Sequence, residues 1–192
     1  MSPTSPLDAR KGVACALIIA ALLWLGFGRP FTADGPIAPV AADPDPRRGA
    51  LATHLADRYD LRADLADLFV TEAHAAGAEA GVDPLLILAV MAVESRFDPD
   101  ARSAYGAKGL MQIVPRFHRD KLGPHGGEIA ILDPRVNVTV GTQILEQYVR
   151  EAGSVQAGLQ RYAGGEDDPD RRYARKVMAE KHRLQRVFDK PS

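Results

Sequence analysis

A chain of 192 residues with 24 Lys+Arg against 25 Asp+Glu, a formal net charge of -1, lacks the basic excess that nucleic-acid binders carry. With 46% hydrophobic and 26% charged residues it is neither disordered nor collagen-like. Its one cysteine, Cys15, leaves no partner for an internal disulfide and no thiolate zinc cluster.

The first element lies at the N-terminus. Gly12 to Gly28 carries no charge and follows Arg10 and Lys11, the order of a basic n-region and an apolar h-region. Its length is at the lower end of what spans a bilayer as a helix, and no A-x-A cleavage site follows. Residues 1–28 therefore read as an uncleaved signal-anchor, with a cleaved signal as the alternative. Both place the remainder outside the cytoplasm, because Arg10 and Lys11 favour the inner side. Residues 29–50 hold Pro30, Pro36, Pro39, Pro44 and Pro46 without apolar periodicity, which predicts an extended tether. Residues 51–192 remain for one folded domain.

Within that domain the period is helical almost throughout. Leu61, Leu65, Leu68 and Phe69 share a stripe, and an alanine-rich run from Glu72 to Ala80 ends at Gly81. Asp83 is a good N-cap and Pro84 a good first helical residue. From Leu85 to Val93 the next helix is apolar on every side, the mark of a buried central helix. Pro99, Gly106 and Gly109 define a turn-rich loop between Asp98 and Leu110. A further helix is expected from about Asn137 to Glu151, stopped by Gly153. Ser154 caps a short one through Tyr162. A last helix runs from Arg171 to Phe188, with Tyr173, Val177, Leu184 and Phe188 on one stripe. Residues 170–190 hold eight Lys/Arg against three acids, which reads as a solvated basic face. The expected class is mainly α, a single domain around a buried central helix.

That central helix ends in an acid. Glu94 follows ten uncharged residues, Pro84 to Val93. The negative end of the helix dipole and burial both disfavour ionisation, and a carboxyl protonated near neutral pH suits a general acid. On this ground alone Glu94 is either such an acid or the point where the helix surfaces. The residues after it are more specific. Glu94-Ser95, Phe97-Asp98-Pro99, Ala101, Ser103, Gly106-Ala107 and Gly109-Leu110-Met111-Gln112 fit E-S-x-F-[ND]-P-x-A-x-S-x-x-G-A-x-G-L-M-Q without a gap. Leu132-Asp133-Pro134, Asn137, Gly141 and Tyr162 follow in order. The stretch from about 70 to 178 resembles the lytic transglycosylase catalytic domain, a lysozyme-like fold that cleaves peptidoglycan.

The resemblance implies Glu94 as the catalytic acid, with Ser103, Gly109, Met111, Gln112 and Tyr162 against the glycan. Met111 and Gln112 would line the cleft, and Tyr162 would hold the Glu94 carboxyl or contact sugar. Gly106 and Ala107 would let the backbone pass close to the ligand. One departure stands out: the family's Tyr-Asn-Ala-Gly is Tyr162-Ala163-Gly164-Gly165 here, so an amide is missing.

Ordinary glycosidases flank the bond with two carboxyl groups. Here only Glu94 can be assigned, since Asp98 reads as a turn cap and Asp100 lies beyond the helix end. The expected reaction is therefore non-hydrolytic, with Glu94 as acid and then base, leaving a 1,6-anhydro-muramic end. The alternatives are a hydrolytic lysozyme-type muramidase and a non-catalytic wall-binding module. His118, His125, Asp120 and Glu128 lack ligand spacing, so no metal or cofactor is expected. Expected partners are peptidoglycan strands, the membrane through the N-terminal segment, and an envelope assembly that a small tethered enzyme would serve. The expected location is the periplasmic side of the inner membrane, or the periplasm after signal cleavage.

Overall fold

The computed structural model describes residues 45–165 and 167–190, so the N-terminal apolar segment and most of the proline-rich one lie outside the described residues. Among the described residues no helix is long and apolar enough to cross a membrane. Seven α-helices carry the fold of the described residues: α1 Pro46–Tyr59, α2 Ala63–Ala80, α3 Pro84–Glu94, α4 Arg119–Leu122, α5 Pro134–Ala152, α6 Val155–Tyr162 and α7 Arg172–Phe188. Helix α1 begins inside the segment expected to be tether. The Asp45 side chain accepts from the Arg47 amide while Pro46 occupies the first turn, and Leu51, Ala52 and Leu55 bury its inner face.

The same Asp-Pro device starts α3 and α5. The Asp83 carboxylate accepts from the Leu85 amide at 2.8 Å, and Asp133 accepts from the amides of Arg135 and Val136. This second cap sets the start of α5 at Pro134, three residues before the expected Asn137. Gly81 and Gly153 close α2 and α5 in the left-handed region, φ 69° and 73°, where glycine avoids a Cβ penalty.

Every residue of α3 from Leu85 to Ala92 is buried. Helices α2 and α7 flank it, and α5 packs on α2 and α6. Burying each Leu, Ile or Met of that helix contributes about 1.5–3 kcal/mol, so α3 acts as the fold's apolar axis and fixes the place of its last residue. At the α5–α6 crossing a Cβ on Gly158 would lie 2.6 Å from Val149 Cα; only a glycine lets the two backbones meet there. Among the described residues there is no strand. Isolated bridges join Arg102 to Lys108 and Lys108 to Ile113. Between the loop and α5, residues 115–132 form short 3-10 turns around α4, which the hydrophobic pattern did not predict.

Candidate active site

Helix α3 delivers Glu94 at its C-terminal end. The chain then reverses through Arg96 and Phe97, both non-glycine residues at positive φ, 55° and 65°. Such a pair costs of order 1–3 kcal/mol per residue unless packing enforces it. Packing does so here. Phe97 is fully buried, edge-on to Tyr59 at 4.9 Å and stacked on Phe69 at 6.1 Å.

The loop that follows is clamped at its root. The Ser95 hydroxyl donates to the Leu110 carbonyl at 2.8 Å, and the Tyr162 hydroxyl donates to the Met111 carbonyl at 2.8 Å. Asn137, buried in α5, uses its whole amide. Its Oδ1 accepts from the Met111 amide at 2.8 Å, and its Nδ2 donates to the carbonyls of Lys108 at 3.0 Å and Ile131 at 2.8 Å. Asp98 accepts from the Asp100 amide at 2.9 Å, the turn cap its sequence predicts.

Against this clamped loop stands the Glu94 carboxyl. The Tyr173 hydroxyl, from α7, donates to Glu94 Oε1 at 2.5 Å. Burial pushes the carboxyl up to about 7, while the Tyr173 hydrogen bond and the Lys176 charge pull it the other way. Burial and the neighbouring Glu94 charge hold Tyr162 and Tyr173 well above the ordinary tyrosine range. Both are therefore neutral O–H donors wherever Glu94 titrates. The Lys176 charge that acts on Glu94 is cationic and favours its ionised form.

Several residues expected to face the glycan make defined contacts within the protein. Met111 is fully buried and seated on Gly141, where a Cβ would collide with its sulfur; it belongs to the core rather than the cleft wall. The Gln112 amide does not point its donors outward, because both are used on the carbonyls of Ala101 at 3.1 Å and Gly109 at 3.0 Å. Gly109 is required by Asn137, whose Nδ2 a Cβ would strike. Ser103 is exposed, and its Oγ accepts from the Ala107 amide at 3.0 Å, which leaves the hydroxyl proton for a ligand. Ala107 is buried and Gly106 turns at φ 85°. Tyr162 holds the loop, and the carboxyl-holding role falls to Tyr173, which the sequence pattern assigned to the apolar stripe of α7.

Ala163, where the family has asparagine, closes α6 through a backbone bond to Leu159. The nearby buried amide is that of Gln160, which donates to Gly165 O at 2.9 Å and accepts from the Ala174 amide at 3.0 Å. Among the described residues no group of three metal-ligating side chains converges; Glu128 pairs with Lys108 at 2.7 Å.

A helical domain that buries its central helix and ends it in a glutamic acid, with the next loop tied beneath that acid, is a lysozyme-like domain of the lytic transglycosylase type. Residues 72–185 match the Transglycosylase SLT domain, and the chain belongs to that family. It is 41% identical over 71 residues to membrane-bound lytic murein transglycosylase C of Glaesserella parasuis, covering 34% of this chain and 20% of that protein. It is 32% identical over 111 residues to the soluble lytic murein transglycosylase of Escherichia coli, covering 55% of this chain and 16% of that protein. A transglycosylase of Enterobacteria phage PRD1 is 33% identical over 91 residues, 47% of this chain and 32% of the relative. These relatives are thus matched over a third or less of their own length. In fold, an X-ray structure of an inactive mutant of the lytic transglycosylase Slt from Pseudomonas aeruginosa superposes with a TM-score of 0.56. The identity is 19%, and the match covers 64% of this chain and 24% of that one.

Proposed function

We propose that this chain is a peptidoglycan lytic transglycosylase that breaks the β-1,4 bond between N-acetylmuramic acid and N-acetylglucosamine, with Glu94 as acid and then base. The observation that carries the reading is the Glu94 carboxyl, lifted to about 7 by burial and held by the Tyr173 hydroxyl at 2.5 Å. A carboxyl titrating near neutrality is ready both to give and to retake a proton. Protonated Glu94 donates to the glycosidic oxygen as the C1–O bond breaks. The resulting carboxylate, steadied by Tyr173 and favoured by Lys176, accepts the proton of the muramic C6 hydroxyl. That oxygen closes on C1 and forms the 1,6-anhydro ring. Attack by a hydroxyl of the same sugar has the entropic advantage of an intramolecular step. A hydrolase would need a second carboxylate to activate water or act as nucleophile; Asp98 is engaged in its turn. Ser103 is the group we assign to glycan contact.

Digestion of purified sacculi followed by mass spectrometry tests this. Products should carry 1,6-anhydro ends and take up no oxygen-18 from labelled water, and Glu94→Gln should cut cleavage at least about a hundredfold. Reducing muramic ends as the main product would assign the lysozyme-type reaction instead. For location, the apolar segment 12–28 behind Arg10 and Lys11 supports an anchor with the domain on the periplasmic side of the inner membrane. Protease added to spheroplasts should then degrade the domain, and full protection would overturn the placement.

A further inference from the structure

Helix α1 lies outside residues 72–185, the stretch that matches the family, yet its last residue touches both supports of Glu94. Tyr59 ends α1, and Asp60 closes the helix in the left-handed region at φ 55°, its amide donating to the Ala56 carbonyl. On one side the Tyr59 ring stands edge-on to Phe97 at 4.9 Å, inside the positive-φ turn that follows Glu94. The Arg96 guanidinium of that turn lies over the same ring at 5.6 Å. On the other side the Tyr59 hydroxyl donates to Glu180 Oε1, on α7, at 2.9 Å.

Glu180 is a charge on an apolar stripe. It shares the inward face of α7 with Ala174, Val177 and Leu184 and is 7% exposed. A carboxylate in such a place needs partners. Arg183 pairs with its Oε2, Arg58 Nε lies 3.8 Å from its Oε1, and the Tyr59 hydroxyl completes the set. A buried ionic group of this kind adds little stability over an apolar residue, and its best-attested use is to fix how one helix registers on another. Two turns of helix, about 10 Å, separate Glu180 from Tyr173, whose hydroxyl meets Glu94 Oε1 at 2.5 Å. The contacts close a circuit. It runs from Glu94 along the chain to Phe97, across the rings to Tyr59, over to Glu180, along α7 to Tyr173, and back to Glu94.

We propose that Tyr59, through Glu180 and Phe97, is a positioning residue for the acid: α1 sets the register of α7 and braces the turn after α3, which holds the Glu94 carboxyl against the Tyr173 hydroxyl. The proposal rests on the reading of Glu94 as the acid and extends the catalytic apparatus to a helix outside the matched stretch. Tyr59 acts through these two supports and not on the sugar.

The test uses the full chain and soluble uncrosslinked glycan strands, with kcat, KM and the pH profile measured well below each variant's melting temperature. Tyr59→Phe keeps the ring on Phe97 and removes only the hydroxyl. Its kcat should fall at least about fivefold while KM stays within about twofold, as expected when a reacting group is displaced and binding is not. The alkaline limb of kcat/KM should move upward, because a Tyr173 hydroxyl held less well favours the ionised carboxyl less. The other groups acting at the site, Lys176 from α7 and Tyr162 from α6, stay in place in this variant. On a Tyr173→Phe background Tyr59→Phe should move the limb no further, since both act through one contact. Glu180→Gln still accepts from Tyr59 and should keep kcat within about twofold, whereas Glu180→Leu should lose about as much as Tyr59→Phe. An unchanged kcat in Tyr59→Phe, a change confined to KM, a limb that stays in place, a limb shift that adds to that of Tyr173→Phe, or a fully active Glu180→Leu would each overturn the proposal. The two readings fail separately. Cleavage that survives Glu94→Gln sinks the catalytic one, and cleavage lost in Glu94→Gln but unmoved in Tyr59→Phe sinks only this one.

Discussion

Replacing Glu94 by glutamine exposes the burial of the carboxyl through stability, independently of turnover. Glutamine keeps the shape and an oxygen that can accept from Tyr173, but it has no proton to lose. In the folded protein the Glu94 carboxyl rises from 4.5 to about 7. At about 1.36 kcal/mol per pH unit, ionising it there costs up to roughly 3 kcal/mol. Partial access to solvent makes about 2 kcal/mol a fairer expectation. Between pH 4.5 and 7 the folded state retains a proton that the unfolded chain has released. Stability therefore declines as pH rises through that window, and the full cost stands above it. The glutamine variant escapes this cost. At pH 8 it should melt higher than the parent by about 4–8 °C, taking about 2–4 °C per kcal/mol for a domain of this size. At pH 4, where Glu94 is protonated in both states, that gain should vanish. Melts followed by circular dichroism at the two pH values give the answer. A difference that is the same at both would show that the Glu94 carboxyl is not desolvated, and would remove the physical basis for its role as an acid.

Tyr173→Phe deletes a hydroxyl that favours the ionised carboxyl, so the alkaline limb of kcat/KM should move upward by about 1–2 pH units, as expected for a bond to a charged group. A limb that stays in place would show that Tyr173 does not hold Glu94. Asn137→Ala strands the Met111 amide and cuts three hydrogen bonds; chemical denaturation should show a loss of about 3 kcal/mol, and a loss under about 1 kcal/mol would mean the loop does not depend on this bridge. Gly158→Ala gains about 1 kcal/mol in helix propensity but drives a methyl toward Val149. The net should be a lower melting temperature, and a rise would mean α5 and α6 part easily.

Where local chemistry decides, the fold was legible. The Asp83-Pro84 pair, the apolar run behind it and the glycine stops at Gly81 and Gly153 set their helices by capping and burial alone. Tertiary contacts decided the rest. Tyr173 lies on the stripe that Val177 and Leu184 bury, and periodicity cannot tell a hydroxyl aimed at a carboxyl 79 positions earlier from one that merely packs. Gln112 and Gly109 occupy motif positions next to the acid, yet their demands are internal: the amide closes a loop at φ 48°, and the missing side chain makes room for Asn137. A motif marks where backbone geometry is constrained, but a ligand and a neighbouring helix can impose the same constraint. The start of α1 inside the proline-rich stretch was masked by composition, since Pro46 serves a helix start as readily as a tether.

Tyr173 sits on the last helix, and its hydroxyl meets a carboxyl that was synthesised 79 residues before it. Helix α7 also supplies Ala174, Val177 and Leu184 to the core, so it must dock before the acid is held. A nascent chain that has exposed Glu94 but not α7 carries the reactive group without its configuration. The order of emergence is then an order of assembly: the Glu94 carboxyl is held only once α7 has been made and docked.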